Sequence, residues 1–192
     1  MDRRPGLIIL DRDGVLNQTV PNPAEPRPDS PLRAAEVVVF PWVPAALRRL
    51  TGAGFGLAVA TNQPSAAKGK TTRAELDHVH QLIVAGAQRD GGVILSSHIC
   101  FHRAEDGCAC RKPKTGLLEE AFAAHPRFAV ADSWMVGDRA NDVLAGAALG
   151  LRTALLGPSG AGDAALLSSR QVRPFYCGAD LRDFVDYLLG SK

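Results

Sequence analysis

Short apolar runs alternate with helix-like patterns along the chain. Each run is bounded by glycine, proline or polar residues, which is typical of strands buried inside a sheet. The runs that predict strands are residues 7–10, 56–60, 93–99, 134–136 and 152–156, with shorter ones at 37–40 and 175–176.

The segments between these runs have the composition and end signals of helices. Pro44 suits a first helical turn, Glu75 lies three residues after Thr72 as in a capping box, and Thr115 is expected to cap a third helix. Strands that alternate with helices favour an α/β fold with a doubly wound, Rossmann-like parallel sheet, in which ligands bind at the carboxyl ends of the strands. The predicted helices are 44–50, 72–89, 117–124, 140–149 and 181–189.

A proline-rich stretch follows the first predicted strand. Five prolines between Val20 and Pro31 exclude a regular helix there and predict an irregular flap within about residues 14–40. The room before the second strand is too short for a large cap domain. We therefore expect one domain over residues 1–192, with an open site that only the flap and one further loop shield.

Composition and charge limit the classes of partner that we expect the protein to bind. The 192 residues carry 22 basic and 20 acidic side chains, a net charge of +2 that argues against nucleic acid or an anionic membrane as partner. The apolar run at 7–10 is too short for a signal-peptide core, and no run of 18 apolar residues occurs. These features predict a cytoplasmic protein, which we expect to be a monomer.

Polar residues follow four of the predicted strands. They are Asp11 and Asp13, Thr61-Asn62, Arg111-Lys112, and Asp138 with Asp142. Because these junctions share one edge of a parallel sheet, several carboxylates should converge there, and a cation is needed to hold like charges together. Oxygen ligands of this kind predict Mg²⁺.

The cysteines point to a second metal. Cys100, His102, Cys108 and Cys110 lie within eleven residues and offer three thiolates and one imidazole, a complete tetrahedral set for structural Zn²⁺. The loop at about residues 100–112 is therefore interpreted as a zinc-binding loop, with reduced free thiols as the alternative. Cys177 stands alone and is expected to be a buried small hydrophobe.

Together these motifs resemble one known enzyme family. Their sequences resemble motifs of the haloacid dehalogenase superfamily of phosphatases: Asp11-Arg12-Asp13-Gly14-Val15-Leu16-Asn17, Thr61-Asn62-Gln63, Cys100-x-His102 followed by Cys108-x-Cys110-Arg111-Lys112-Pro113, and Val136-Gly137-Asp138-x3-Asp142. Within it, the chain is similar to the heptose-bisphosphate phosphatases and the related histidinol-phosphatase domains. The resemblance extends from about residue 6 to residue 157.

The resemblance implies a Mg²⁺-dependent phosphomonoester hydrolase. Asp11 would be the nucleophile that forms an aspartyl-phosphate, and Asp13 the general acid and base. Mg²⁺ would be held by Asp11, the Asp13 carbonyl and Asp138, with Asp142 orienting a water or a lysine. The implied substrate is a small phosphorylated sugar, foremost a heptose bisphosphate that loses its 7-phosphate, with histidinol phosphate as the alternative.

Other residues receive supporting roles from the same resemblance. Thr61 would donate its hydroxyl to the phosphoryl group, and Lys112 would stabilise the charge of the transition state. Asn62, Arg111 and Lys68 would bind substrate, although Lys68 stands where the family has arginine and Pro64-Ser65 departs from its usual pattern. A zinc-stabilised binding module without catalysis remains the alternative from another functional class.

Overall fold

Six parallel strands form a single sheet at the centre of the molecule. The computed structural model describes residues 5–22, 28–158 and 160–190. The strands are β1 Leu7–Leu10, β2 Gly56–Asn62, β3 Ser96–Cys100, β4 Trp134–Gly137, β5 Arg152–Leu156 and β6 Tyr176–Gly178. Their order is β3-β2-β1-β4-β5-β6, so the direction of winding reverses between β1 and β4. This order confirms the predicted doubly wound sheet.

Helices cover both faces of the sheet. β1 is fully buried, with Ile8 and Leu10 packed on one face and Leu7 and Ile9 on the other. The first face receives α1, α2 and α6, and the second receives α3 and α4, with α5 packed against α4. The helices are α1 Val43–Gly52, α2 Arg73–Gln88, α3 Gly116–Ala124, α4 Ala140–Ala148, α5 Ala161–Ser169 and α6 Leu181–Leu189.

Several predicted elements differ from the observed ones. Residues 37–40 do not form a strand, because Val39 makes only a single bridge to Asn17. Pairing of β3 with β2 begins at Ser96, which leaves Val93 46% exposed outside the sheet. The helix α5 was not predicted, since its sequence is rich in alanine and serine and little of it is buried.

The predicted helix caps are only partly correct. The Thr72 hydroxyl accepts the Glu75 N–H at 3.1 Å, as predicted, but the Glu75 carboxylate accepts the N–H of Ala34 and so ties α2 to the flap. The Thr115 hydroxyl donates to the Glu119 carboxylate instead of capping α3.

Cys177 was predicted to be buried and is exposed, because β6 is an edge strand.

The flap lies over the carboxyl edge of the sheet. Val20 and Asp29 pair through both backbone hydrogen bonds, at 2.8 and 2.9 Å, and Lys70 binds the Asp29 carboxylate at 2.8 Å. Residues 23–27 of the predicted flap lie outside the described residues. None of the helices in the described part of the chain is long and apolar enough to cross a membrane.

Candidate active site

The crevice between β1 and β4 holds the first two carboxylates. Asp11 follows β1 directly, and its backbone N–H donates to the Val136 carbonyl at 2.8 Å. Asp138 is the first residue after β4. Gly14 has a φ of +85°, and a Cβ at this position would collide with the Asp138 carboxylate. Glycine therefore allows the loop after β1 to pass close to Asp138.

Lys112 places a fixed positive charge beside Asp11. Its Nζ lies 2.8 Å from Asp11 Oδ1, 2.6 Å from Asp142 Oδ1 and 2.7 Å from the Ala60 carbonyl, and the side chain is 3% exposed. Burial alone would lower the pKa of Lys112, but the two carboxylates outweigh it and hold the pKa above its ordinary value. The lysine therefore stays charged at the base of the crevice.

Three carboxylates form a cluster that fits a divalent cation. One oxygen each of Asp11, Asp138 and Asp142 lies within 4.8 Å of the others. Burial raises the pKa of Asp11 to about 6, against the opposing effect of Lys112, and burial together with Asp11 and Asp142 raises that of Asp138 to about 8. Oδ1 of Asp138 is buried and has no hydrogen-bond partner among the described residues. A hard cation would satisfy this oxygen and relieve the repulsion.

Asp13 is surrounded by donors that sequence reasoning did not single out. Arg12 binds both of its carboxylate oxygens at 3.0–3.3 Å, Asn17 donates to Oδ1 at 2.9 Å, and Gln63 donates to Oδ2 at 2.6 Å. Gln63 also donates to the Thr61 hydroxyl at 2.9 Å. The only signal in the sequence was that all three donors lie inside the two motifs that contain Asp13 and Thr61.

A cavity of about 310 Å³ opens beside Asp11, Asp13 and Thr61. The flap contributes Asp29 to its wall and α5 contributes Asp163, whose Oδ1 accepts the N–H of Ala140 at the start of α4. Among the residues predicted from the sequence, those lining the cavity are Asp11, Asp13, Thr61, Asn62, Arg111, Lys112, Asp138 and Asp142.

Two predicted substrate-binding residues are placed differently from the others. Lys68 is exposed and does not line the cavity. Asn62 lines it, but its amide is engaged in both directions with the backbone of Lys112, at 3.1 Å each way. This pair joins the end of β2 to the segment that carries Lys112.

The four predicted zinc ligands converge at the end of β3. Their ligand atoms all lie within 4.8 Å of one another; Cys110 Sγ is 3.2 Å from Cys100 Sγ, 3.5 Å from Cys108 Sγ and 3.3 Å from His102 Nδ1. A tetrahedral zinc with ordinary bond lengths needs ligand separations of about 3.5–3.8 Å. Burial and the neighbouring thiols raise the pKa of Cys110 to about 12, so a cation is needed to keep all three thiols ionised together. The donor set fits Zn²⁺, and Cys110 Sγ needs to move only a few tenths of an ångström from Cys100 Sγ and His102 Nδ1 to reach these separations.

The comparisons with known proteins assign this sheet and crevice to the haloacid dehalogenase-like hydrolases. A family model described as HAD-hydrolase-like matches residues 109–184. A solved D,D-heptose 1,7-bisphosphate phosphatase from B. bronchiseptica, complexed with magnesium and phosphate, superposes with a TM-score of 0.79 at 30% identity. The match covers 97% of this chain and 99% of that one.

Curated relatives identify the family within this class of hydrolases. The D-glycero-beta-D-manno-heptose-1,7-bisphosphate 7-phosphatase of Pseudomonas putida is 36% identical over 78% of this chain and 81% of its own length. The histidine biosynthesis bifunctional protein of Legionella pneumophila is 33% identical over 71% of this chain but only 37% of its own length. The chain belongs to the family of D-glycero-D-manno-heptose-1,7-bisphosphate 7-phosphatases.

Proposed function

We propose that this protein removes the 7-phosphate of D-glycero-beta-D-manno-heptose 1,7-bisphosphate in a Mg²⁺-dependent reaction. The observation that carries the proposal is the buried Asp11 carboxylate, 2.8 Å from Lys112 and clustered with Asp138 at the floor of an open cavity. The curated relatives with this activity support the substrate. Residues 1–192 would act as a single domain, as a monomer in the cytoplasm.

Asp11 would attack the phosphorus atom in line with the leaving sugar oxygen. The P–O bond to the sugar breaks, the oxygen takes a proton from Asp13, and an aspartyl-phosphate remains on Asp11. Asp13 then takes a proton from a water molecule, which attacks the phosphorus and releases phosphate. Lys112 and the Thr61 hydroxyl would stabilise the negative charge on the phosphoryl oxygens.

The two metal ions would have different tasks. Asp11, Asp138 and the Asp13 carbonyl would hold Mg²⁺, which when bound neutralises charge on the phosphoryl group. Cys100, His102, Cys108 and Cys110 would hold a structural Zn²⁺ at the base of the segment that carries Arg111 and Lys112. Arg111 would bind the second phosphate or the hydroxyls of the sugar, since it lines the cavity beside Lys112.

A substrate panel tests this proposal. We expect the highest kcat/KM with the β-anomer of the heptose bisphosphate, a lower value with the α-anomer, and the lowest with histidinol phosphate. EDTA should abolish turnover and Mg²⁺ should restore it. A preference for histidinol phosphate would assign the chain to the alternative substrate, and no Mg²⁺-dependent turnover of any phosphomonoester would indicate a binding module.

Replacement of the nucleophile tests the chemistry separately. Asp11→Asn should lower turnover to below about 1% of wild type, because an amide cannot attack phosphorus. Asp77→Asn is the matched control, since the Asp77 side chain is 43% exposed on α2 and pairs with the Arg73 guanidinium at 3.0 Å, away from the cavity. Activity of Asp11→Asn comparable to this control would refute the assignment of the nucleophile.

A further inference from the structure

Gln63 joins two groups with different tasks at the reacting phosphoryl group: Asp13, which would act on the leaving oxygen, and Thr61, which would bind a phosphoryl oxygen. Its Nε2 lies 2.6 Å from Asp13 Oδ2 and 2.9 Å from Thr61 Oγ1. The side chain is only 1% exposed, so its orientation is fixed by these contacts and by packing. The amide nitrogen faces both groups, and the Asp13 oxygens also accept from Arg12 and Asn17.

The contact with Thr61 determines the direction in which its hydroxyl can donate. A hydroxyl has one proton and two lone pairs, and Gln63 occupies one of the lone pairs. The described residues contain no acceptor hydrogen-bonded to the Thr61 proton, and Thr61 lines the cavity. Its proton is therefore free to point toward a phosphoryl oxygen.

We propose that Gln63 is a positioning residue that orients Asp13 and Thr61 together through the two hydrogens of one amide group. This inference rests on the proposed phosphatase function. Gln63 itself touches neither substrate nor metal in this assignment. It fixes the carboxylate that exchanges protons with the leaving group, and it directs the hydroxyl that binds the transferred phosphoryl group.

The test is Gln63→Met, which keeps the length of the side chain and removes both donors. Single-turnover phosphorylation is measured with an alkyl phosphate, whose leaving group needs a proton, and with p-nitrophenyl phosphate, whose leaving group does not. We expect the rate to fall about 100-fold for the alkyl phosphate and about tenfold for the aryl phosphate. The ratio of the two rates does not depend on the fraction of folded enzyme, so it stays informative if the variant is unstable.

Double variants separate the two hydrogen bonds. In an Asp13→Asn background, Gln63→Met should no longer change the alkyl-to-aryl ratio, and in a Thr61→Val background it should no longer slow the aryl phosphate. Ser133→Ala is the structural control, because Ser133 is buried at the opposite end of the sheet, where it binds the Leu7 N–H. This control should leave the ratio unchanged.

The inference and the proposed function fail in different ways. If the wild-type enzyme is active and Gln63→Met slows neither substrate, the positioning role alone would be overturned. Equal slowing of both substrates, as expected of a merely structural residue, would overturn it as well. A wild-type protein without Mg²⁺-dependent turnover would instead refute the phosphatase function.

Discussion

At the scale of single residues, the crevice between β1 and β4 holds more negative than positive side chains. Lys112 faces Asp11 and Asp142 directly, and Asp138 adds a third carboxylate within the same cluster. The single positive charge of Lys112 does not compensate three carboxylates, of which Asp11 and Asp142 are buried and Asp138 is half-buried, so the site needs either protons or a metal ion. Burial first, and repulsion by the neighbouring carboxylates second, raise the pKa values of Asp11 and Asp138.

Replacement of Lys112 tests how far the lysine supports the fold and the chemistry. Lys112→Met leaves Asp11 and Asp142 without their direct partner, and we expect a loss of about 3–5 kcal/mol in the free energy of unfolding without metal. Phosphorylation should slow about 100-fold or more. Urea unfolding in EDTA and single-turnover kinetics measure the two effects.

Arg127→Met is the control for the loss of a cation, because Arg127 is exposed and stacks on Phe128. It should change both quantities little. If Lys112→Met were as stable and as active as this control, the buried ion pairs would have no role in either property.

Binding of Mg²⁺ should release protons near neutral pH. Because the pKa of Asp138 is about 8 in the metal-free site and that of Asp11 is about 6, Asp138 is largely protonated at pH 7. A metal ligand must be ionised, so we expect release of about one proton per Mg²⁺ at pH 7 and almost none above pH 9. Titration calorimetry in two buffers of different ionisation enthalpy measures this number. Identical heats in both buffers at pH 7 would contradict the prediction.

At the scale of elements, the loop with the four candidate zinc ligands and the end of β2 hold Lys112 from two sides. Cys110 lies two residues before Lys112 in the sequence, and the Asn62 amide binds the Lys112 backbone in both directions. A loop has few other constraints, and a catalytic charge must be placed within about half an ångström to act fully. Loss of zinc should therefore reach the active site.

Cys108→Ser should weaken zinc binding and lower kcat/KM about tenfold or more, since the segment that carries Arg111 and Lys112 loses its anchor. Affinity for Mg²⁺ should change little, because Asp11, Asp13 and Asp138 follow other strands. Metal analysis and kinetics of the same preparations provide the measurement. Cys177→Ser is the matched control, since Cys177 is exposed on the edge strand β6. A zinc-free Cys108→Ser enzyme with wild-type kcat/KM would show that the loop does not position the lysine.

The sequence predicted elements wherever local pattern and tertiary packing agree. β1 and β5 were predicted with the observed bounds. β1 is the continuous apolar run typical of a buried parallel strand, and β5 lies between Gly150 and Gly157. α5 was missed because its alanine-rich sequence shows no clear apolar face, and it is positioned by packing on α4. The contact of Gln63 with Asp13 was missed for another reason: a motif gives residue types, but the direction of this amide depends on a contact between residues fifty positions apart.

For the whole molecule, the site imposes a conflict between stability and function. The fold buries Asp138 in the crevice between β1 and β4, and burial opposes its ionisation. The unfolded chain ionises this carboxyl near its ordinary pKa of about 3.9. Between that value and about 8, the folded protein retains a proton that the unfolded chain releases, so the contribution of Asp138 to stability decreases as pH rises.

Asp138→Asn should therefore stabilise the metal-free protein while it abolishes the function. The amide is neutral at every pH, so in EDTA we expect the Tm of the variant to exceed that of wild type, with a difference that grows from pH 5 to pH 9. Excess Mg²⁺ should raise the Tm of wild type, because a ligand that binds only the folded state stabilises it, and should leave the variant almost unchanged. Thermal unfolding at four pH values, with and without Mg²⁺, measures both effects. A variant less stable than wild type in EDTA at pH 9 would contradict this prediction. It would show that the ionised Asp138 carboxylate stabilises the fold even without a metal.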